Sequence, residues 1–161
     1  MNRPGILLLS LGLASSAPAQ TFEKLDQIVA AERASLAGSC KAIELTDEFL
    51  TRQNMNGDAL EDIFIDYGGV VCEGVKRALC GGAGCSMTLY LQQPNGGFTH
   101  LGDYFARGID FDRPGAKPPS FVVALHGNEC SRSGIEPCNI RYRIEENAAV
   151  EVGEVSDAEP Q

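Results

Sequence analysis

The chain has 161 residues, 22 of them acidic and 13 basic, and a net charge of −9. This balance argues against nucleic acid and anionic lipid as partners, since both need a basic face, and leaves cationic partners open. The length suits one domain with a real core. Past the first nineteen residues no apolar run is long enough to span a bilayer, so an integral membrane protein is not expected.

Met1 to Ala19 has the make-up of a secretory signal peptide. Arg3 supplies the positive start, Ile6 to Ala14 a short apolar stretch, and Ala17-Pro18-Ala19 the small residues before a cut at Gln20. This predicts export to a compartment where thiols oxidise. The short signal and the lack of any Asn-x-Ser/Thr site favour a bacterial periplasm over a fully extracellular destination. Thr21 to Ala37 is predicted as a helix: Phe22, Leu25, Ile28, Val29 and Leu36 share one face, Thr21 caps the start and Gly38 ends it.

From Cys40 onward the apolar period changes to two. Strands are predicted at Phe49 to Gln53, at Asp62 to Tyr67 (with Phe64 interrupting the polar face), and at Ser86 to Leu91. After the Asn95-Gly96 hairpin turn, further strands follow at Phe98 to Phe105, around Ile109 and Phe111, at Phe121 to Leu125, and at Ile140 to Ile144. The expected fold is mainly β (α+β): an N-terminal helix packed on an antiparallel meander sheet or partly open barrel, stabilised by disulfides. Residues 1–19 form the signal peptide, 20–153 the single globular domain, and 154–161 an acidic disordered tail.

Six cysteines in an exported chain form a disulfide framework with 15 conceivable pairings. Cys130–Cys138 closes a short loop between two strands. For the others, Cys80–Cys85 with Cys40–Cys72 is preferred, and Cys72–Cys85 across a hairpin stands beside it. The Cys80-x4-Cys85 spacing nears that of a zinc knuckle, but export removes the reduced thiols zinc needs.

One segment carries cation chemistry. Asn54, Asn56, Asp58 and Asp62 place oxygen side chains at positions 1, 3, 5 and 9 of a short segment, and Leu60 at position 7 offers its carbonyl. With the strand Ile63-Phe64-Ile65 behind it, the segment resembles the calcium hairpin of FG-GAP, integrin-type repeats, over residues 49–100. The resemblance implies Ca²⁺ as the one cofactor, held by Asn54, Asn56, Asp58, Leu60 and Asp62. Asn54 replaces an Asp of that family and Ala59 a Gly, so affinity in the ~0.1–1 mM range or weaker is expected. A plain Asn56-Gly57 hairpin turn is the other reading.

No Gly-x-Ser-x-Gly, His-Glu-x-x-His or P-loop pattern occurs, and the only histidines are His100 and His126. Asp103, Asp110 and Asp112 are the carboxylates near enough in sequence to act as an acid/base pair. The chain is therefore expected not to be an enzyme. It is expected to be a recognition domain for an envelope protein or small ligand. Its binding loops are Arg107 to Pro119 and Ser131 to Pro137, with Arg107, Arg113, Arg132 and Glu136 in contact. The alternative is an inhibitor of a secreted hydrolase, a lysozyme or protease, acting through a disulfide-tied loop, with an acidic surface suited to a basic target.

Overall fold

A computed structural model describes residues 21–113 and 116–156; the expected signal peptide and the last five residues of the expected tail lie outside them. In chain order the elements are β1 (Thr21–Phe22), α1 (Leu25–Leu36), β2 (Ile43–Leu45), β3 (Leu50–Gln53), β4 (Asp62–Asp66), β5 (Val70–Cys72), β6 (Val75–Lys76), β7 (Cys85–Gln92), β8 (Phe98–Ala106), β9 (Gly108–Phe111), β10 (Ser120–His126), β11 (Pro137–Glu145) and β12 (Ala148–Val155). The strands form antiparallel sheets in the orders β1-β8-β7-β4-β3, β12-β11-β10-β9 and β2-β5-β6. The fold is thus mainly β with one α-helix, and the strands do not close into a barrel. Instead of one meander there are two packed sheets and a small third.

The central five-stranded sheet is covered on both faces, and the alternation of β7 shows how. Met87, Leu89 and Leu91 point into a core shared with Phe121, Val123 and Ile144 of the four-stranded sheet. Tyr90 points the other way, into a core with Ile28 and Leu36 of α1 and Ile63 and Ile65 of β4. Phe64 interrupts the polar alternation of β4 for this reason. It pairs with Leu89 and meets Phe111 of the second sheet edge-on, 5.8 Å between ring centroids. Burying a Leu or Ile completely, as at Ile63, Ile65, Leu89 and Leu91, contributes ~1.5–3 kcal/mol per side chain. At Arg107 the chain turns the corner from β8 into β9, its N–H bonded to the Ala124 carbonyl at 2.7 Å.

Both ends of the fold differ from expectation. The helix starts at Leu25, because Thr21 and Phe22 pair with Thr99 and Phe98 of β8 as an edge strand. Lys24 takes the N-cap, and the Gln27 side chain accepts the N–H groups of Glu23 (2.9 Å) and Lys24 (3.2 Å). At the other end the expected disordered tail yields two residues to β12. Glu154 and Val155 pair with Ile140 and Asn139 of β11, so backbone pairing there outweighs the local acidity.

All six cysteines are bridged, as Cys40–Cys72, Cys80–Cys85 and Cys130–Cys138. The first ties the segment after α1 to β5. The second closes the turn leading into β7. The third joins the two ends of the 131–137 loop. Among the described residues no helix is long and apolar enough to cross a membrane.

Candidate functional site

The face that α1 turns to the sheet carries Ile28, Glu32 and Leu36, spaced by four residues and all buried. Two of them are apolar and belong in a core. The third is a carboxylate with only 8% of its surface exposed, and burying an uncompensated charge is costly. Compensation comes from two phenols. Tyr90 of β7 donates its hydroxyl to Glu32 Oε1 at 2.9 Å. Tyr67, in the turn after β4, donates to Glu32 Oε2. Burial, and then the Glu32 carboxylate beside them, pushes both phenols well above their ordinary range. Both therefore stay protonated and keep donating at neutral pH.

Glu32 stands in the wall of an open cleft of about 1010 Å³ between α1 and the exposed part of the sheet face. Across the floor, on β8, His100 Nε2 lies 3.1 Å from Asp103 Oδ1, and Thr88 of β7 donates to the same oxygen at 2.8 Å. The His100 ring meets Tyr90 edge-on at 5.5 Å, and Phe22 meets Tyr90 at 5.7 Å. The cleft thus presents two carboxylates, Glu32 and Asp103, among aromatic rings. Among the described residues no lysine or arginine lines it. Ring faces and carboxylates together attract an ammonium or guanidinium group.

Sequence reasoning missed this site because a lone Glu on an amphipathic helix reads as solvated. The signal was present in its spacing, since Glu32 falls four residues from both Ile28 and Leu36, inside the apolar stripe.

Four of the five expected calcium ligands lie in the loop between β3 and β4 and Asp62 opens β4; the four side chains among the five already accept hydrogen bonds within the protein. Asn54 Oδ1 accepts the Gly57 N–H at 2.6 Å, and Asn56 Oδ1 accepts the Asp58 N–H at 3.1 Å. Asp58 accepts the Leu60 N–H at 2.8 Å and the Asn56 amide at 2.9 Å. Asp62 is fully buried and accepts the N–H groups of Met55 (2.7 Å) and Gln92 (2.9 Å). Desolvation raises its carboxyl above the usual range, against the lowering effect of these two bonds. Among the described residues no group of three or more His, Cys, Asp or Glu side chains is placed to hold a metal ion. As arranged, these oxygens serve the hairpin backbone.

The expected contact residues divide. Arg107 and Arg132 converge on the 131–137 loop, but as supports. Arg107 Nη2 donates to the Gly134 carbonyl, and Arg132 donates to the Pro137 carbonyl at 2.8 Å and to Glu154. Glu136 lies exposed on that loop. Arg113 does not join them. It lines a small recess with Asn54 and Gly57 on the connection from β9 to β10, and the early part of the expected 107–119 loop, Gly108–Phe111, is strand β9. The three aspartates have separate surroundings, with Asp110 exposed on β9. Asp103 belongs to the cleft, whereas Asp112 pairs with Arg141 at 3.2 Å and accepts from Ser120, fastening the end of the second sheet.

Compared with protein-family models, with curated proteins and with solved structures, the chain matches none, so the role of the cleft is read from its own chemistry.

Proposed function

We propose that the protein is an exported recognition domain, with the cleft between α1 and the sheet as a binding site for a cationic group. Suitable groups are a primary amine, a guanidinium or a quaternary ammonium, on a small molecule or on a partner's side chain. The observation that carries this reading is the Glu32 carboxylate, buried in the cleft wall and held by two phenols. It has no ion-pair partner among the described residues. A negative charge fixed in advance beside aromatic rings loses little entropy on meeting a cation. The acidic chain adds long-range attraction. Six bridged cysteines support export.

The test is a titration by calorimetry and NMR with agmatine, spermidine and tetramethylammonium, with acetate and glucose as controls. At least one cation should bind saturably, with shifts at Tyr67, Tyr90 and His100, and Glu32→Gln should weaken it more than about tenfold, as expected when a charge-assisted contact worth ~1.5–3 kcal/mol is lost. No saturable binding, or equal binding by the variant, would overturn the reading. Export is tested separately by intact mass of the exported form, which should begin at Gln20.

A further inference from the structure

The three disulfides differ in what surrounds their sulfurs. Cys40 Sγ faces the Ala42 carbonyl oxygen at 3.2 Å, and Cys72 Sγ faces the Ser39 carbonyl oxygen at 4.0 Å. Carbonyl dipoles turned this way oppose a negative charge on sulfur. At the second bridge the neighbour is a cation: Arg77 Nη2 lies 3.0 Å from Cys85 Sγ. Among the described residues Cys85 is the one bridged cysteine whose sulfur accepts from a cation, and Arg77 has no ion-pair partner among them. A turn holds it there, since the Cys80 N–H bonds to the Arg77 carbonyl at 3.0 Å. A guanidinium beside a sulfur favours thiolate over thiol.

The two cysteines of this bridge also differ in access. Cys85 is fully buried at the start of β7, whereas Cys80 is partly exposed. The residues after Cys80 leave the approach open. Among the described residues a Cβ on Gly82 would meet nothing within 4 Å, and one on Gly81 would meet the Phe105 ring at 3.7 Å. At the other end of the turn a Cβ on Gly84 would fall 2.0 Å from the Ala106 carbonyl oxygen, so that end is packed against β8. An incoming thiolate therefore reaches Cys80, and the sulfur beside Arg77 becomes the leaving group. Exchange is faster the better the leaving sulfur carries negative charge.

This bridge closes the shortest of the three loops, with a sequence separation of 5 against 8 and 32. In the chain-entropy account it stabilises the fold least, and by the same balance the fold protects it least against reduction. Its turn does not depend on the bridge alone. Gly81 and Gly84 exchange N–H···O bonds at 2.7 and 3.1 Å, which keeps the two cysteines close for reclosure. We propose that Cys80–Cys85 is a site of reversible thiol–disulfide exchange, opened by a thiolate of a small molecule or of a protein dithiol. The thiolate attacks Cys80 Sγ and forms a mixed disulfide. The Cys80–Cys85 bond breaks, and Cys85 takes its electron pair as a thiolate beside Arg77. A second thiolate attacks the incoming sulfur and releases Cys80. Two thiols are thereby oxidised to one disulfide, and their protons end on the two cysteines. The site is independent of what the α1 cleft binds.

The test exposes the folded full chain at neutral pH to glutathione or to a thioredoxin-type dithiol protein. Samples are quenched in acid, unfolded and labelled with a maleimide, and mass spectrometry locates each label and each mixed disulfide. Cys80 and Cys85 should open about tenfold faster than the other two bridges, and early glutathione adducts should sit on Cys80. The faster of the two reductants distinguishes a small-molecule donor from a protein one. Arg77→Gln should slow the opening about threefold or more, and Arg77→Lys should restore most of the rate. Both variants should melt within about 2 °C of the parent, because Arg77 is exposed. The opening order and the adduct position are read on the parent chain, so they decide the matter even if a variant does not fold. Another bridge opening first or at the same rate, adducts on Cys85, or an unchanged rate in folded Arg77→Gln would each overturn the proposal.

Discussion

Removing the Glu32 carboxylate tests whether the helix is bound to the sheet through the phenols. Tyr90 is 3% exposed and donates to Glu32 at 2.9 Å, and a hydrogen bond to a charged acceptor is worth ~1.5–3 kcal/mol. Tyr67 is half-buried at the cleft, so its hydroxyl can turn to water and recover most of its bond. Glu32→Ala should therefore cost about 2–3 kcal/mol, dominated by the Tyr90 contact. Tyr90→Phe should cost ~1.5–3 kcal/mol, because it takes a donor from a buried charge. If the two losses are one interaction, the double variant should be little worse than either single one. The coupling energy in the cycle should then reach ~1.5 kcal/mol or more, against the ~0.3–0.5 kcal/mol scatter of independent sites. Urea unfolding followed by circular dichroism measures all four proteins. A coupling energy inside that scatter would refute the claim that Tyr90 and Glu32 act together.

Asp62→Asn should cost about 1–3 kcal/mol, with or without Ca²⁺, because one backbone N–H would face an amide NH₂ in place of an oxygen. Its carboxyl is raised on folding, so this group favours the fold most when protonated, below the unfolded value of 3.8. That contribution is lost as pH rises through the folded value, so the stability gap between wild type and Asp62→Asn should narrow from acid to neutral pH; a widening gap would show that the backbone bonds outweigh burial. Gly84→Ala should fail to fold or lose more than ~3 kcal/mol, since its Cβ would lie 2.0 Å from the Ala106 oxygen at a φ of +136°. Gly108→Ala, where the space is open, is the matched control and should melt near wild type. Replacing each cysteine pair by Ala should rank with loop length: about 3.7 kcal/mol for Cys40–Cys72, and about 2.1 and 2.5 kcal/mol for Cys80–Cys85 and Cys130–Cys138 in the chain-entropy account. Urea midpoints in a different order would assign the effect to native-state packing instead.

The strands were legible where one face is clearly apolar. The alternation of Met87, Leu89 and Leu91 specifies β7, and Asn95-Gly96 specifies the turn into β8. What stayed hidden were elements defined by pairing and not by burial. β12 exposes Val150 and Val152 and is rich in Glu, so only its hydrogen bonds to β11 reveal it. β1 has two residues and borrows its geometry from β8. The division into two packed sheets was written in Phe64, an apolar residue on the face expected to be polar. The cleft was hidden for a related reason: Glu32, Tyr67, Tyr90, His100 and Asp103 come from four separate segments, and only the register of β7 with β8 brings the last three together.

The pairing of the cysteines has a consequence for assembly. Each bridge joins a cysteine to the next one along the chain: first with second, third with fourth, fifth with sixth. No bridge encloses or crosses another. A chain delivered N-terminus first into an oxidising space therefore presents every cysteine with its native partner before any later competitor emerges. An oxidase that joins thiols in order of arrival produces the native connectivity directly, and no exchange between bridges is needed to correct it. The order of arrival alone selects one of the 15 pairings.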